Sequence, residues 1–331
     1  MKIFDLFKNA IQPDHDLGEF LRKHSFDDVF AIDGAIEILR APLASGWGPT
    51  SVQVELAKSD EYPLDPQAVQ LLTPYRDKLA GLGWEIKHRI AALEQISNEI
   101  PILRVVFAPI TYEEGTGFHR SLVEATAERD DLALALRERL ANQLVQPGRY
   151  SVPGVAVVHT IVITSDGYVI LCRRSPHTGY HPLRWSVSFE EQINQKDLAF
   201  GNAALSAAAV RGFQEEFAPG HAMMPESVCI LGIFLEYGIL NVSVCAYIET
   251  SLSFNEIKFN WNRKAKDKWE AVTVVGEPFT LGNIAKLLRA SKYGEIIEEK
   301  DRFHPTSKYR LLLAAIHRFG SDVVIDACRS L

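Results

Sequence analysis

The sequence predicts an α+β protein in two domains, an α+β unit over residues 1–150 and an α/β/α sandwich around a mixed sheet over residues 151–331. Three observations carry this. A chain of 331 residues is longer than one hydrophobic core usually organises. The stretch QPGRYSVPG then concentrates turn formers just after a helix-periodic segment, which places the seam near residue 150. From Gly154 onward the pattern switches to strand, turn, strand, interrupted by a run of helical periodicity over residues 203–217.

The first 25 residues read as helical, because Ile3, Phe4, Phe7, Ile11 and later Phe20 and Leu21 recur at helical intervals around Pro13. An apolar run at residues 35–39 follows, then the turn ASGWGPT and an alternating segment at 51–56 that suits an edge or hairpin strand. Asp65-Pro66 supplies an N-cap and a proline at the first helical position, and Val69, Leu72, Tyr75 and Leu79 line one face until GLG ends the helix. WEIKHRIAALEQI fits strand or helix. IPILRVVFAPITY reads as a strand from its β-branched run up to Pro109. Residues 125–144 read as helix. In the second half, GVAVVHTIVIT and YVILCRRS flank Ser165-Asp166-Gly167, a hairpin signal because Asp-Gly tolerates positive φ. Further strands are expected at 185–193, 228–235 and 242–250, and a last helix at 307–319 should stop at Gly320.

Composition bounds the function. Apolar residues make up 47% and charged residues 23%, as in ordinary globular proteins, and the net charge of −7 argues against nucleic acid or an anionic membrane as the main partner. A small phosphorylated ligand is easier to accommodate. Cys172, Cys229, Cys245 and Cys328 are scattered without a CxxC pair and read as reduced core thiols. With neither a spanning apolar stretch nor a signal peptide in sight, the expected location is cytoplasmic.

The chemistry concentrates in AALSAAAVRGFQEEFAPG, residues 203–220. On a helix Glu215 and Glu216 project together from the side of Gly212, while Ala208, Ala209 and Phe213 serve the packed side. Paired carboxylates in a confined site are relieved by a cation, and hard oxygen ligands suit Mg²⁺ or Mn²⁺. Arg211 lies four residues before Glu215 and can brace it. His177 and His181, four apart in a loop without Cys or a helical frame, are weak zinc ligands on sequence grounds, as is His119. The GTG beside His119 lacks the strand and the Lys of a P-loop.

The segment AAVRGFQEEF resembles the core of the Nudix box, a Gly, five residues, Glu, seven residues, then Arg-Glu-aliphatic-x-Glu-Glu-x-Gly. Arg211, Phe213, Glu215 and Glu216 fall on its Arg, apolar position and paired Glu. The flanking phrases SDGYVILCRRS and LRWSVSFEEQI agree, and the resemblance covers residues 151–320. It departs at Gly212, where the motif has its first Glu, at Ala203 in place of the upstream Glu, and at Ser188-Phe189-Glu190 in place of a Gly-Gly turn. Glu190 and Glu191 are therefore expected to turn inward and replace the lost carboxylate, with Asp197 as a further candidate.

The resemblance implies metal-dependent hydrolysis of a nucleoside diphosphate linked to another group. Glu190, Glu191, Glu215 and Glu216 would be the metal ligands, and Glu216, Glu191 and Arg211 the catalytic set, with Glu236 another candidate base. Arg173 and Arg174 would pair with phosphate oxygens. Tyr180 or Trp185 would stack on a base, although a Trp in an alternating strand is more commonly core. The missing Glu keeps a rival open, a catalytically degenerate nucleotide-binding sensor. In the hydrolase reading residues 1–150 would select substrate or dimerise the protein, and a third class is a protein-interaction scaffold that uses the N-terminal helices.

Overall fold

The hairpin turn that seeds the larger sheet forms as the Asp-Gly pair dictates. Gly167 sits at φ 80°, and the Asp166 carboxylate accepts from the Thr164 hydroxyl at 2.6 Å and from the Phe254 amide at 2.9 Å. The computed structural model describes residues 36–40, 46–57, 64–81, 89–96, 102–111, 114–115, 117–119, 121, 131–145, 152–224, 227–236, 241–266, 268–290 and 302–330. The helix expected over the first 25 residues lies outside the described residues.

The strands are β1 (Ile36–Arg40), β2 (Val52–Leu56), β3 (Arg89–Ile96), β4 (Leu103–Thr111), β5 (Ala156–Ile163), β6 (Tyr168–Arg174), β7 (Trp185–Val187), β8 (Phe189–Gln192), β9 (Val228–Glu236), β10 (Asn241–Glu249) and β11 (Ala271–Pro278). The helices are α1 (Pro66–Gly81), α2 (Asp131–Val145), the short α3 (Gln195–Leu198), α4 (Ala204–Glu216), α5 (Phe254–Lys264), α6 (Leu281–Arg289), α7 (Ser307–Phe319) and α8 (Ser321–Arg329). The fold is α+β with a mixed main sheet, because β10 and β5 run parallel while the other neighbours in that sheet are antiparallel.

The main sheet runs β1-β9-β10-β5-β6-β11. Strands β5 and β6 touch only at Ile163 and Val169, then part, and the gap is filled by β8 on β5 and β7 on β6. Ser188, between β7 and β8, holds the fork. Its hydroxyl accepts from the Val162 amide at 2.9 Å and donates to the Ile170 carbonyl at 3.1 Å. Its φ of 55° lies in the left-handed region, which explains why a strand expected over 185–193 breaks into two.

Strand alternation then supplies two cores. Val158, Val162 and Ile170 pack with Leu205, Ala208, Ala209 and Phe213 of α4. Ile161, Leu171 and Tyr247 pack with Leu311, Leu312, Ala315 and Ile316 of α7 on the other face. Gly320, at φ 85°, ends α7, and α8 starts directly beyond it.

The N-terminal half is anchored to this sandwich by main chain. Strand β1 forms an edge of the main sheet by pairing with β9, across the boundary expected near residue 150. Strands β2, β4 and β3 make a separate three-stranded sheet. Its β3 meets the start of β5, where the Ala91 amide donates to the Ile193 carbonyl and the Leu93 amide to the Gly154 carbonyl, both at 2.9 Å. Pro109 sits inside β4 beyond the stretch that pairs with β2, so its missing N–H interrupts no bond on that side. The expected N-cap of α1 forms, with the Asp65 carboxylate accepting from the Gln67 amide at 2.8 Å. Among the described residues no helix is long and apolar enough to cross a membrane.

Candidate functional site

Gly212 decides how close α4 approaches the sheet. A Cβ at this position would lie 2.4 Å from Phe189 Cε2 and 3.1 Å from Glu191 Cβ, so only glycine lets the helix lie on β8. The Glu191 side chain thus leaves the backbone beside the place where a residue-212 side chain would begin. Phe189 and Glu191, two apart on β8, share the α4 face.

Arg211 gathers the acids on that face. Its Nε and Nη2 reach the two carboxylate oxygens of Asp197 at 3.0 and 2.8 Å, Nη2 donates to the Gln192 carbonyl at 2.7 Å, and Nη1 reaches Glu191 at 2.8 Å and Glu215 at 3.2 Å. Asp197 is also fixed from behind, since its Oδ2 accepts from the Asn194 amide at 2.9 Å in a capping box at the start of α3. It therefore anchors Arg211 and is not free to act as a ligand. Burial works against the Arg211 cation, but the Asp197 bonds and the Glu191 charge more than offset this and raise its affinity for its proton.

The acids on this face are held in a poorly solvated setting. Burial pushes the Glu191 carboxyl up to about 7 in spite of Arg211. Glu216 is buried at 6% exposure, and desolvation followed by the charges of Glu270, Glu191 and Glu190 raises it well above the carboxylate range. Glu215, with its side chain 28% exposed, leans on Arg211.

Glu190 departs from the expected arrangement. Being one residue out of step with Glu191, it alternates toward α7, where its Oε1 accepts from Arg310 Nη2 at 2.9 Å and from the Ser186 hydroxyl at 2.8 Å. Its other oxygen accepts from Arg174 Nη1 at 2.5 Å. Burial alone would raise its pKa, yet Arg174 and Arg310 hold it well below the usual range, as an ion-paired carboxylate. The expected set of four acids thus divides: Glu191, Glu215 and Glu216 share the α4 side, and Glu190 is bound elsewhere.

Arg174 is correspondingly occupied. Besides Glu190 it donates through Nε and Nη2 to the Tyr180 carbonyl at 3.2 and 3.1 Å, so three of its five N–H donors are engaged within the protein. Arg173 Nε faces the Leu183 carbonyl at 3.4 Å. The Tyr180 hydroxyl is buried and its ring meets His119 edge-on at 6.2 Å, and Trp185 is buried in the α7-side core at 9% exposure. The Trp185 ring thus presents no open stacking face.

Sequence reasoning missed a polar cluster between β9 and the start of α7. His181 Nε2 lies 2.8 Å from Glu236 Oε1, and His304 Nε2 lies 3.9 Å from the same oxygen. His304 Nδ1 meets the Thr306 hydroxyl at 2.8 Å, and that hydroxyl meets His159 Nδ1 at 3.0 Å. Burial keeps both imidazoles neutral, pulling His159 down to about 3 and His304 well below its ordinary range. Of these, only His181 and Glu236 stood out in the sequence. The available signal was Arg310, a charge in a helix that is buried from Ser307 to Ile316 and so needed buried partners.

No family model matches the chain, and no curated protein matches it. Among solved structures it is similar to DR0079 from Deinococcus radiodurans, at 16% identity and a TM-score of 0.27, over 40% of this chain and 71% of that one.

Proposed function

We propose that residues 151–331 form a Nudix-type, metal-dependent hydrolase of a nucleoside diphosphate linked to another group. The observation that supports this reading is the close approach at Gly212, where Glu191 Cβ of β8 lies 3.1 Å from the position a residue-212 Cβ would take. The donor type is that of a hard-cation site, and because the oxygens of Glu191, Glu215 and Glu216 do not all lie within 4.8 Å of one another, an ion would have to draw them together. Glu191, Glu215 and Glu216 offer only carboxylate oxygens, and the strongest electrostatic neighbours of buried Glu216 are other acids. That set suits Mg²⁺ or Mn²⁺. When bound, such an ion polarises a phosphoryl oxygen and makes attacking water more acidic.

The protein's own groups do the rest. Glu191 would accept the proton of the attacking water, and burial favours its protonated form in the metal-free protein. Arg211, locked by Asp197, fixes the Glu191 carboxylate and limits its rotamers. Glu216 and Glu215 complete the oxygen donors from α4. Residues 1–150 serve as a substrate-selecting or dimerising module.

Incubation with Mg²⁺ or Mn²⁺ and a panel of nucleoside triphosphates, dinucleotides and nucleotide sugars tests this, with phosphate counted before and after phosphatase treatment. The expected result is metal-dependent product that Glu216→Gln abolishes. No product from any substrate favours a second reading, a nucleotide-binding sensor without turnover. One observation supports that rival: Arg211 already contacts both Glu191 and Glu215, at 2.8 and 3.2 Å. Its signature is a thermal shift with metal plus ADP-ribose that metal alone does not give.

A further inference from the structure

We propose that His181, Glu236 and His304 bind a borderline-soft divalent ion, zinc in preference to magnesium, at a site separate from the α4 carboxylates. The three side chains come from the β6–β7 loop, the end of β9 and the segment before α7, and their ligand atoms lie within 4.8 Å of one another. The His181 and His304 rings meet edge-to-face at 4.6 Å, so both Nε2 atoms converge on the Glu236 carboxylate. Two ligands on one zinc stand roughly 3.3 Å apart, given bonds of about 2.0 to 2.1 Å and tetrahedral angles. The separations of 2.8 and 3.9 Å bracket that value, so small side-chain adjustments close the site.

A second observation points to a cation independently. Glu236 is 1% exposed, and its Oε2 is buried without a hydrogen-bond partner among the described residues. Its described ion-pair partners are both histidines, with neither Lys nor Arg. A carboxylate oxygen taken out of water and left bare is costly, and buried charges are paired or coordinate metals. A cation between the imidazoles and this carboxylate supplies the missing partner.

The surrounding groups determine which His304 tautomer a metal would select. In the metal-free protein His304 Nδ1 accepts from the Thr306 amide at 3.3 Å and lies 2.8 Å from the Thr306 hydroxyl. A metal on Nε2 displaces the ring proton to Nδ1, where the Thr306 hydroxyl accepts it and the amide bond to Nδ1 is given up. That hydroxyl is steadied by His159, whose Nε2 meets the Ser243 hydroxyl at 3.0 Å. Two imidazoles and one carboxylate match zinc ligand preferences, whereas magnesium favours oxygen donors throughout. His181, with its side chain 21% exposed, is the ligand through which an ion enters. Three protein ligands leave a fourth position for water or a ligand atom.

The test uses the full chain stripped with a chelator and titrated with Zn²⁺ alone against a chromophoric competitor, with Co²⁺ absorption as a second readout. The expected result is one equivalent of Zn²⁺, undisturbed by millimolar Mg²⁺, with affinity lowered at least about tenfold in His181→Gln and in Glu236→Gln. Because His181 is partly exposed, its variant should fold even if changes at His304 do not. Absence of stoichiometric zinc from wild type overturns the proposal. So does zinc lost in Glu216→Gln but retained in His181→Gln, which puts the ion on α4. Neither readout depends on hydrolysis, so failure here and failure of the hydrolase reading are separately visible.

Discussion

Replacing Glu191 with Gln should stabilise the metal-free protein at neutral pH, although it removes an ion pair with Arg211. Glu191 ionises at about 7 in the folded chain against an ordinary value of 4.5, chiefly because burial disfavours its charge. A folded-state pKa above the unfolded one means that the native protein holds this proton more tightly. The resulting stability is fully present below pH 4.5 and is lost as pH rises through 7. At about 1.4 kcal/mol for each pH unit, the span from 4.5 to 7 amounts to about 3 kcal/mol. Glutamine mimics the protonated acid, so Glu191→Gln should match wild type near pH 4.5 and exceed it by about 2 to 3 kcal/mol at pH 8. Urea unfolding at several pH values, in chelator, measures this through the midpoint and slope. Saturating Mn²⁺ should then reverse the order at pH 8, because only the carboxylate gains from the ion. A stability difference that does not change with pH refutes the claim that Glu191 is held in a desolvated, acid-rich setting.

Other consequences are open to similar measurements. Gly212→Ala gains roughly 1 kcal/mol of helix propensity but drives a methyl into the Phe189 ring, a clash of the kind that costs about 1 to 3 kcal/mol. The variant should therefore be less stable by urea unfolding, with Phe189→Leu offsetting part of the loss. A more stable Gly212→Ala contradicts the close approach of α4 to β8. Arg310→Met strips one partner from buried Glu190 and should cost about 3 kcal/mol or more, while an unchanged melting temperature would mean that Arg174 suffices. His159 is held neutral down to about 3, so its contribution is complete above pH 6.5 and lost as pH falls toward 3. His159→Gln should accordingly flatten the acid side of the stability profile relative to wild type.

Local rules made much of the frame legible. The Asp166-Gly167 turn, the Asp65 cap of α1, the α4 helix and the α7 stripe ending at Gly320 each depend on contacts a few residues apart, and each formed where the pattern put it. Long-range pairing was not legible. Nothing in residues 36–40 says that they will join β9, some two hundred positions later. Helices α5, α6 and α8 and strand β11 were not anticipated either.

At the candidate site the residue types were readable but their directions were not. Glu190 and Glu191 look equivalent in the sequence. The bend at Ser188, with its positive φ, fixes which of them faces α4, and a shift of one residue would exchange them. The His304 and Arg310 contacts likewise depend on α7 docking across β7 and β8, a juxtaposition that no local spacing encodes. Gly212 reads as a missing ligand in the sequence, whereas in the fold it is the condition for α4 to lie close on β8 with Glu191 beside it.

A crystal soaked in Mn²⁺ and recorded at the manganese absorption edge addresses the metal site proposed at Glu191 and Glu216 most directly. The account requires anomalous density flanked by carboxylate oxygens of Glu191 and Glu216, with Glu190 still bound to Arg174 and Arg310. Density confined to the His181 cluster, or a saturated soak in which Glu191 stays on Arg211 with no ion beside it, contradicts the account.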